Sequence, residues 1–190
     1  MNLENLKHLI RAASAVTNSY EIVIFGSQSI LGTIQSGPKE LYFSEEADMF
    51  VDGKEELSDL IDSALGELSQ FHTTFGYYAQ GISSSVALLP NGWRDRLVKI
   101  QSAETDLKIG YCLSVEDLAF AKAAAFRPKD KDFVQILIKN GYVDPSNLSN
   151  QINAHPDISR EKKDVIVEWV KGIESPSPLS RKQGHKYPGM

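Results

Sequence analysis

The stretch that decides the fold is EIVIFGSQSI, Glu21 to Ile30, followed downstream by EADMFV, Glu46 to Val51. The first stretch predicts an apolar strand that ends at Gly26 and continues into a short helix. Such a junction of strand, turn and helix points backbone N–H groups at an anion. The second stretch predicts a strand on which Glu46 and Asp48, two residues apart, project to the same face.

The paired carboxylates of Glu46 and Asp48 suit one shared divalent cation, Mg²⁺ or Mn²⁺. An acidic pair inside a strand costs Coulomb repulsion unless a cation or a basic side chain neutralises it. The alternative is a pair of solvent-facing residues on an edge strand. Gly26, Ser27 and Gln28 in turn predict either a phosphate-binding loop or a plain tight turn. Together the two stretches predict a nucleotide site.

These residues resemble the catalytic core of the nucleotidyltransferase superfamily, which has the fold of DNA polymerase beta. Several ordered stretches also resemble a family of bacterial nucleotidyltransferase-like proteins of undefined function, related to the toxins of abortive-infection and toxin–antitoxin systems. The likeness runs from about Glu21 to Asp144. The stretches that carry it are VIFGSQSILG, FSEEADMFV, FHTTFGYYAQG, LPNGWRDRLV and LSVEDLAFAKAAAFRPKDKDFV.

The fold that this resemblance implies is α/β, a nucleotidyltransferase-like mixed sheet with flanking helices and a C-terminal helical region. Periodicity and turn residues predict an α/β core over residues 1–113, a helical region over 114–173 and a flexible tail over 174–190. Strands are also predicted at 96–101 and 107–112, and a hairpin or two short strands within 73–90. Helices are predicted at 3–15, 27–34, 54–68, 114–125, 128–140, from 144 and 159–171.

Lys122 lies in LSVEDLAFAKAAAF, among apolar residues that predict a buried stem and an ammonium group led to a specific place. In related toxins, a lysine of this helix and an acidic residue of the next helix complete the site. The resemblance therefore implies catalytic roles for Lys122, Arg127 and Asp130, although Pro128 stands where an acidic residue is common in the family. The alternatives are an ordinary surface lysine at Lys122 and stabilisation of a helix start by Asp130.

A third carboxylate is the main gap in the implied site. Polymerase-like transferases usually place one on a later central strand, but the predicted strand Val86–Leu89 carries none, and Glu104 and Asp106 lie near a turn. Either Asp130 takes this role, or the protein is a catalytically degenerate nucleotide-binding or regulatory protein on the same fold.

Charge is distributed unevenly over the 190 residues, whose formal net charge is −5. Residues 1–70 hold four Lys and Arg against twelve Asp and Glu, and residues 91–190 hold sixteen against thirteen. An acidic front half suits metal binding and a basic rear half suits phosphates, unless solvated helix faces merely differ in composition. The single cysteine, Cys112, excludes an intrachain disulfide and favours the reducing cytoplasm. No apolar run approaches the ~18 residues that span a bilayer.

The sequence therefore predicts a metal-dependent nucleotidyltransferase that moves a nucleotidyl group from a nucleoside triphosphate to a hydroxyl of RNA or protein. A role as a toxin or defence component, with a partner protein from a two-gene system, follows from the resemblance alone. The alternative is the degenerate binding or regulatory protein described above.

Overall fold

The computed structural model describes residues 1–174, so the predicted tail lies outside the described residues apart from Glu174. The chain divides into two compact units, Met1–Ala121 and Lys122–Met190. Unit 1 contains the sheet, and the described part of unit 2 is helical. Within residues 1–174, no helix is long and apolar enough to cross a membrane.

Helix α1 (Leu3–Thr17) begins at a reciprocal cap. The Asn5 N–H donates to Asn2 Oδ1 at 2.9 Å, and the Asn2 N–H donates to Asn5 Oδ1 at 3.0 Å. Two backbone donors at the helix start are thereby satisfied. The helix ends at Asn18, which adopts the left-handed conformation with φ 48°. Its apolar face is fully buried and consists of Leu6, Leu9, Ile10 and Ala13.

Five strands form one mixed sheet, as predicted. They are β1 (Glu21–Phe25), β2 (Glu46–Phe50), β3 (Tyr78–Gly81), β4 (Val98–Ile100) and β5 (Ile109–Cys112). Their order across the sheet is β3-β2-β1-β5-β4. Strand β1 runs antiparallel to β2 and parallel to β5, and β2 runs parallel to β3. Strand β2 therefore lies between β1, which leads into the Gly26 turn, and the edge strand β3.

One face of the sheet is an apolar core covered by α1. A Cβ atom added to Gly110 of β5 would lie 2.4 Å from Cδ1 of Ile10, so helix and strand approach closely because this position has no side chain. The strand residues on this face are fully buried, and they include Ile22, Ile24, Ala47 and Met49. The opposite face carries Glu46 and Asp48, because successive side chains of a strand alternate between faces.

Two predicted helices in the front half are wrong in extent. The helix predicted for 27–34 is a 3₁₀ helix, Ser27–Gly32, and the helix predicted for 54–68 begins with a 3₁₀ turn at Glu55–Leu57. Helix α2 then runs only over Ser58–Leu65. It ends at Gly66, where a Cβ would lie 2.3 Å from the Asp62 carbonyl oxygen.

The hairpin or two short strands predicted within 73–90 are also wrong in number, because this range contains one strand, β3 (Tyr78–Gly81). Helix α3 (Gln70–Phe75) precedes β3, and the only helical turn that follows within this range is a 3₁₀ turn at Ser84–Val86. Val86–Leu89 forms no strand, and the Val86 side chain is 63% exposed. High β-propensity does not make a strand without a neighbouring strand and a face to bury.

The predicted C-terminal helices are confirmed. They are α4 (Val115–Ala125), α5 (Pro128–Lys139), α6 (Pro145–Ala154) and α7 (Arg160–Lys171). The division between the two units falls within α4. Asp144 caps α6 by accepting the Ser146 and Asn147 N–H groups, and Ser159 caps α7. Within unit 2, α6 and α7 pack against each other.

Candidate functional site

The carboxylate of Asp48 lies against the turn at Gly26. Asp48 is paired with Phe25, the last residue of β1, so the carboxylate stands beside the point where the chain leaves the strand. A Cβ at residue 26 would lie 1.8 Å from Asp48 Oδ2, and Gly26 has φ +63°. Only glycine fits both the space and the backbone conformation. The two separate motifs of the sequence therefore meet at one place in unit 1.

Glu46 lies two residues before Asp48 on the same face of β2, as predicted. Its Oε2 accepts a hydrogen bond from Tyr78 Oη at 3.1 Å, and Tyr78 is the residue paired with Glu46 on β3. Burial, together with this hydrogen bond to a carboxylate, raises the pKa of Tyr78 to about 12. The tyrosine therefore remains a hydrogen-bond donor at neutral pH and orients Glu46.

This carboxylate pair fits a divalent cation by the chemistry of its donors. Both side chains offer hard oxygen ligands on one sheet face, and the Gly26 turn leaves room for the Asp48 oxygens. Among residues 1–174, no group of three or more His, Cys, Asp or Glu side chains is placed to hold a metal ion. Magnesium is usually held by only one or two carboxylates, together with water and substrate phosphates. The pair therefore matches the number of carboxylates in magnesium sites of that kind.

The turn after β1 is held by Ser29, whose Oγ and N–H both donate to the Gly26 carbonyl oxygen, at 2.9 and 3.3 Å. Ser27 is half-buried at the start of the 3₁₀ helix. Gln28 is fully buried, and neither of its amide atoms has a hydrogen-bond partner among the described residues. An unpaired buried amide is costly, so Gln28 requires a water or a ligand group.

In unit 2, Lys122, Arg127 and Asp130 form one charged cluster. Lys122 Nζ lies 3.3 Å from Asp130 Oδ1 and 4.6 Å from the centre of the Phe133 ring. Arg127 Nε donates to Asp130 Oδ2 at 2.5 Å. Lys122 is buried, and the Asp130 carboxylate is fully buried between two cations. The prediction that the lysine stem is buried and its ammonium directed is therefore confirmed.

The ionisation of this cluster follows from burial and pairing. Burial lowers the pKa of Lys122 below its ordinary value, against the opposing effect of the Asp130 charge. Burial alone would raise the pKa of Asp130, yet the Arg127 hydrogen bond and the Lys122 charge hold it below its ordinary value. Two basic side chains therefore contact one buried carboxylate in this cluster.

Two arginines in the segment between β3 and β4 have separate partners. Arg96 makes a bidentate contact with the fully buried Asp117 of α4, at 2.7 Å from Nη2 to Oδ1 and 3.0 Å from Nε to Oδ2. Arg94 makes a bidentate contact with the half-exposed Asp52 and stacks over the Trp93 ring at 4.3 Å. Arg96 therefore stabilises the fold, whereas Arg94 forms a surface ion pair.

The residues that sequence reasoning missed as carboxylate partners are Tyr78 and Gln80 on β3. The register places Tyr78 beside Glu46 and Gln80 beside Asp48. The alternation in Tyr78-Ala79-Gln80, with only Ala79 fully buried, was the available signal for a strand with a polar face.

A family model of known proteins matches most of the chain. Residues 1–168 match the family model described as a nucleotidyltransferase of unknown function (DUF6036). The chain matches no curated protein and no solved structure.

Proposed function

Because the chain belongs to this family of nucleotidyltransferases of unknown function, we propose that it is metal-dependent and transfers a nucleotidyl group from a nucleoside triphosphate to a hydroxyl of RNA or protein. The observation that carries the proposal is the Asp48 carboxylate lying against the Gly26 turn, with Glu46 on the same strand face. The backbone that would bind phosphate and the oxygens that would bind metal are thus adjacent in unit 1.

The roles of the unit 1 residues follow from their chemistry. Glu46 and Asp48 would hold Mg²⁺ or Mn²⁺, and a bound cation of this kind neutralises charge on triphosphate oxygens. Gly26 and Ser27 would contact the phosphates through backbone N–H groups and the serine hydroxyl. In the reaction, the acceptor hydroxyl oxygen bonds to the α-phosphorus and loses its proton. The bond from the α-phosphorus to the bridging oxygen breaks, and pyrophosphate leaves.

The unit 2 cluster contains basic side chains, whereas the pair on β2 is acidic. Lys122 and Arg127 together outweigh Asp130, so the cluster favours an anion. As part of the same proposal, we assign Lys122, Arg127 and Asp130 catalytic roles, which rest on the family resemblance. The ionised Asp130 keeps the two cations in place. A toxin or defence role, with a partner protein from a two-gene system, is part of the same proposal and rests on the family resemblance.

The test is transfer of label from α-³²P nucleoside triphosphates to total RNA or total protein, with Mg²⁺, with Mn²⁺ and with chelator. We expect transfer only with metal. Asp48→Asn should abolish it, because the amide loses the charge that the cation requires. Asp52→Asn is the matched control, since Asp52 lies four residues on and pairs with Arg94. Transfer that persists in chelator or in Asp48→Asn would refute the site.

The second candidate function is a catalytically degenerate nucleotide-binding or regulatory protein. The observation that favours it is the neutral Gln80 beside Asp48, together with the lack of a third acidic ligand among residues 1–174. Calorimetric titration with nucleoside triphosphates, with and without Mg²⁺, distinguishes the two candidate functions when it is combined with the label-transfer assay. Metal-dependent binding without any label transfer supports the degenerate protein.

A further inference from the structure

Aromatic side chains beside the Gly26 turn lie on the sheet face that carries the carboxylate pair. Phe25 is paired with Asp48 in the register of β1 and β2, and residues opposite each other on adjacent strands project to the same face. The centre of the Phe25 ring lies 4.9 Å from that of Phe50 and 5.4 Å from that of Trp93. The Trp93 ring therefore lies over the same face as the Asp48 carboxylate, on the order of 10 Å from it.

The guanidinium group of Arg94 extends this aromatic surface. Its central carbon lies 4.3 Å from the centre of the Trp93 ring, and its Nε and Nη2 donate to the two Asp52 oxygens at 3.0 and 2.9 Å. Two hydrogen bonds to one carboxylate fix the plane of the guanidinium group, which is flat and stacks on aromatic faces. The Arg94 side chain is nevertheless 54% exposed, and Trp93 is half-buried. A flat surface of indole and guanidinium is thus partly open to a ligand.

The segment that carries these two side chains, residues 91–96, is anchored within unit 1. Arg96 donates through Nε and Nη2 to the buried carboxylate of Asp117, and its Nη2 also donates to the Asn91 carbonyl oxygen at 3.1 Å. At the other side of the segment, the Trp93 ring packs on the buried Phe25 ring. The surface is therefore already ordered before a ligand binds, and a preorganised surface loses less entropy on binding.

We propose that Trp93 and Arg94 form the platform on which the base of the nucleoside triphosphate stacks. The proposal deepens the proposed function and rests on it, because the triphosphate has to be held at Asp48 and the Gly26 turn. Nucleobases stack on aromatic side chains and on guanidinium planes. In a nucleotide, a ribose separates the base from the phosphates, and a separation of this size lies between Asp48 and the platform.

Stacking recognises the area of a base and not the hydrogen-bonding groups on its edge. Every base has a flat face, so the platform accepts all four bases. A purine covers more of the platform than a pyrimidine does, so ATP binds more tightly than CTP. Inorganic tripolyphosphate has no base and gains nothing from the platform.

The test is calorimetric titration of the full chain with ATP, CTP and inorganic tripolyphosphate, each with Mg²⁺. Trp93→Leu should weaken ATP binding about 5- to 100-fold, the range for loss of one stacked base, and should remove the preference for ATP over CTP. Arg94→Lys retains the positive charge but loses the flat face, so it should weaken ATP binding by a smaller factor. Both variants should bind tripolyphosphate as the wild type does.

Trp169→Leu is the matched control. Trp169 is the other tryptophan of the chain, and its ring packs on Phe126 in unit 2, with the ring centres 5.4 Å apart. The same substitution at this position should leave all three affinities unchanged.

The tripolyphosphate titration distinguishes failure of the platform from failure of the proposed function. If Trp93→Leu and Arg94→Lys bind ATP as tightly as the wild type, the platform is refuted. If Trp93→Leu loses ATP and tripolyphosphate together, it has disturbed the Gly26 turn through Phe25. A selective loss of ATP affinity in Arg94→Lys then supports the platform, and no loss refutes it. If tripolyphosphate binding persists in chelator or in Asp48→Asn, the carboxylate pair is not a metal site and the proposed function fails.

Discussion

Gly26 shows how one residue joins two motifs that are separate in the sequence. Its missing side chain is the space that the Asp48 carboxylate occupies, and its positive φ turns the chain out of β1. Conformational freedom and close approach are both required here. The position therefore determines where the Asp48 oxygens lie, and with them any cation that they hold.

Gly26→Ala should unfold the protein more easily and remove metal-dependent nucleotide binding. Gly53→Ala is the control, because Gly53 also has a positive φ, of +72°, but nothing lies within 4 Å of its added Cβ. Both variants should lose about 1–2 kcal/mol from the left-handed backbone. The clash with Asp48 should cost Gly26→Ala roughly 1–3 kcal/mol more. Urea denaturation measures the difference, and equal losses would mean that Asp48 moves aside freely.

Lys122→Met should destabilise unit 2, because it leaves the buried Asp130 with Arg127 as its remaining cationic partner. We expect a loss of about 1–3 kcal/mol, the cost of an unsatisfied buried charged contact. The double variant Lys122→Met, Asp130→Asn should recover part of the stability by removing the buried charge. If the double variant is stable yet still binds nucleotide as well as the wild type, Lys122 has only a structural role.

At the scale of elements, the carboxylates of β2 differ from the carboxylate at the start of α4 in burial and in hydrogen-bond partners. On β2, the carboxylates of Glu46 and Asp48 are half-buried. At the start of α4, Asp117 is fully buried, and it accepts hydrogen bonds from Arg96 and from Ser114 Oγ at 2.8 Å. The helix start is thus tied to the segment before β4 within unit 1, and this ion pair is a structural one.

Arg96→Met should be far more destabilising than Arg94→Met. The first leaves Asp117 buried without its cation, which costs about 3–5 kcal/mol. The second breaks a pair whose side chains are 54% and 46% exposed, and such surface pairs are worth about 0–1 kcal/mol. Comparing the unfolding free energies of the two variants tests this. A large loss for Arg94→Met would show that the Trp93 segment depends on it.

At the scale of the whole molecule, the charge asymmetry affects the proposed substrate. Residues 1–70, which include Glu46 and Asp48, carry twelve acidic and four basic side chains. A bare triphosphate would be repelled from this region, whereas a metal-bound triphosphate carries less negative charge. The charge distribution of this region therefore favours the metal complex over the bare triphosphate.

Deleting Ser175–Met190 should leave the folded core intact. Ile173 is the last buried residue among residues 1–174, so the deletion removes none of the described core. We expect the unfolding free energy to change by less than about 1 kcal/mol. The deletion also removes the basic residues Arg181, Lys182 and Lys186, so it should weaken RNA affinity in a salt-dependent way. A large loss of stability in thermal denaturation would show that the tail stabilises the core.

The sequence by itself determined the elements whose signals are local. The apolar run of β1, the carboxylate pair on one face of β2 and the helices α4 to α7 were predictable, because alternation, capping and helical periodicity depend on near neighbours. The burial of Lys122 was predictable for the same reason. The roles of the candidate site residues remain predictions.

Only the tertiary structure decided which strands and charges meet. Local propensity favoured a strand at Val86–Leu89, yet the strand beside β2 is Tyr78–Gly81. Pairing depends on which segment the helices α2 and α3 bring beside β2, and not on propensity alone. The contact of Gly26 with Asp48 and the position of Gln80 beside Asp48 follow from strand order and register. Both are set by packing between residues distant in the chain, which no local pattern encodes.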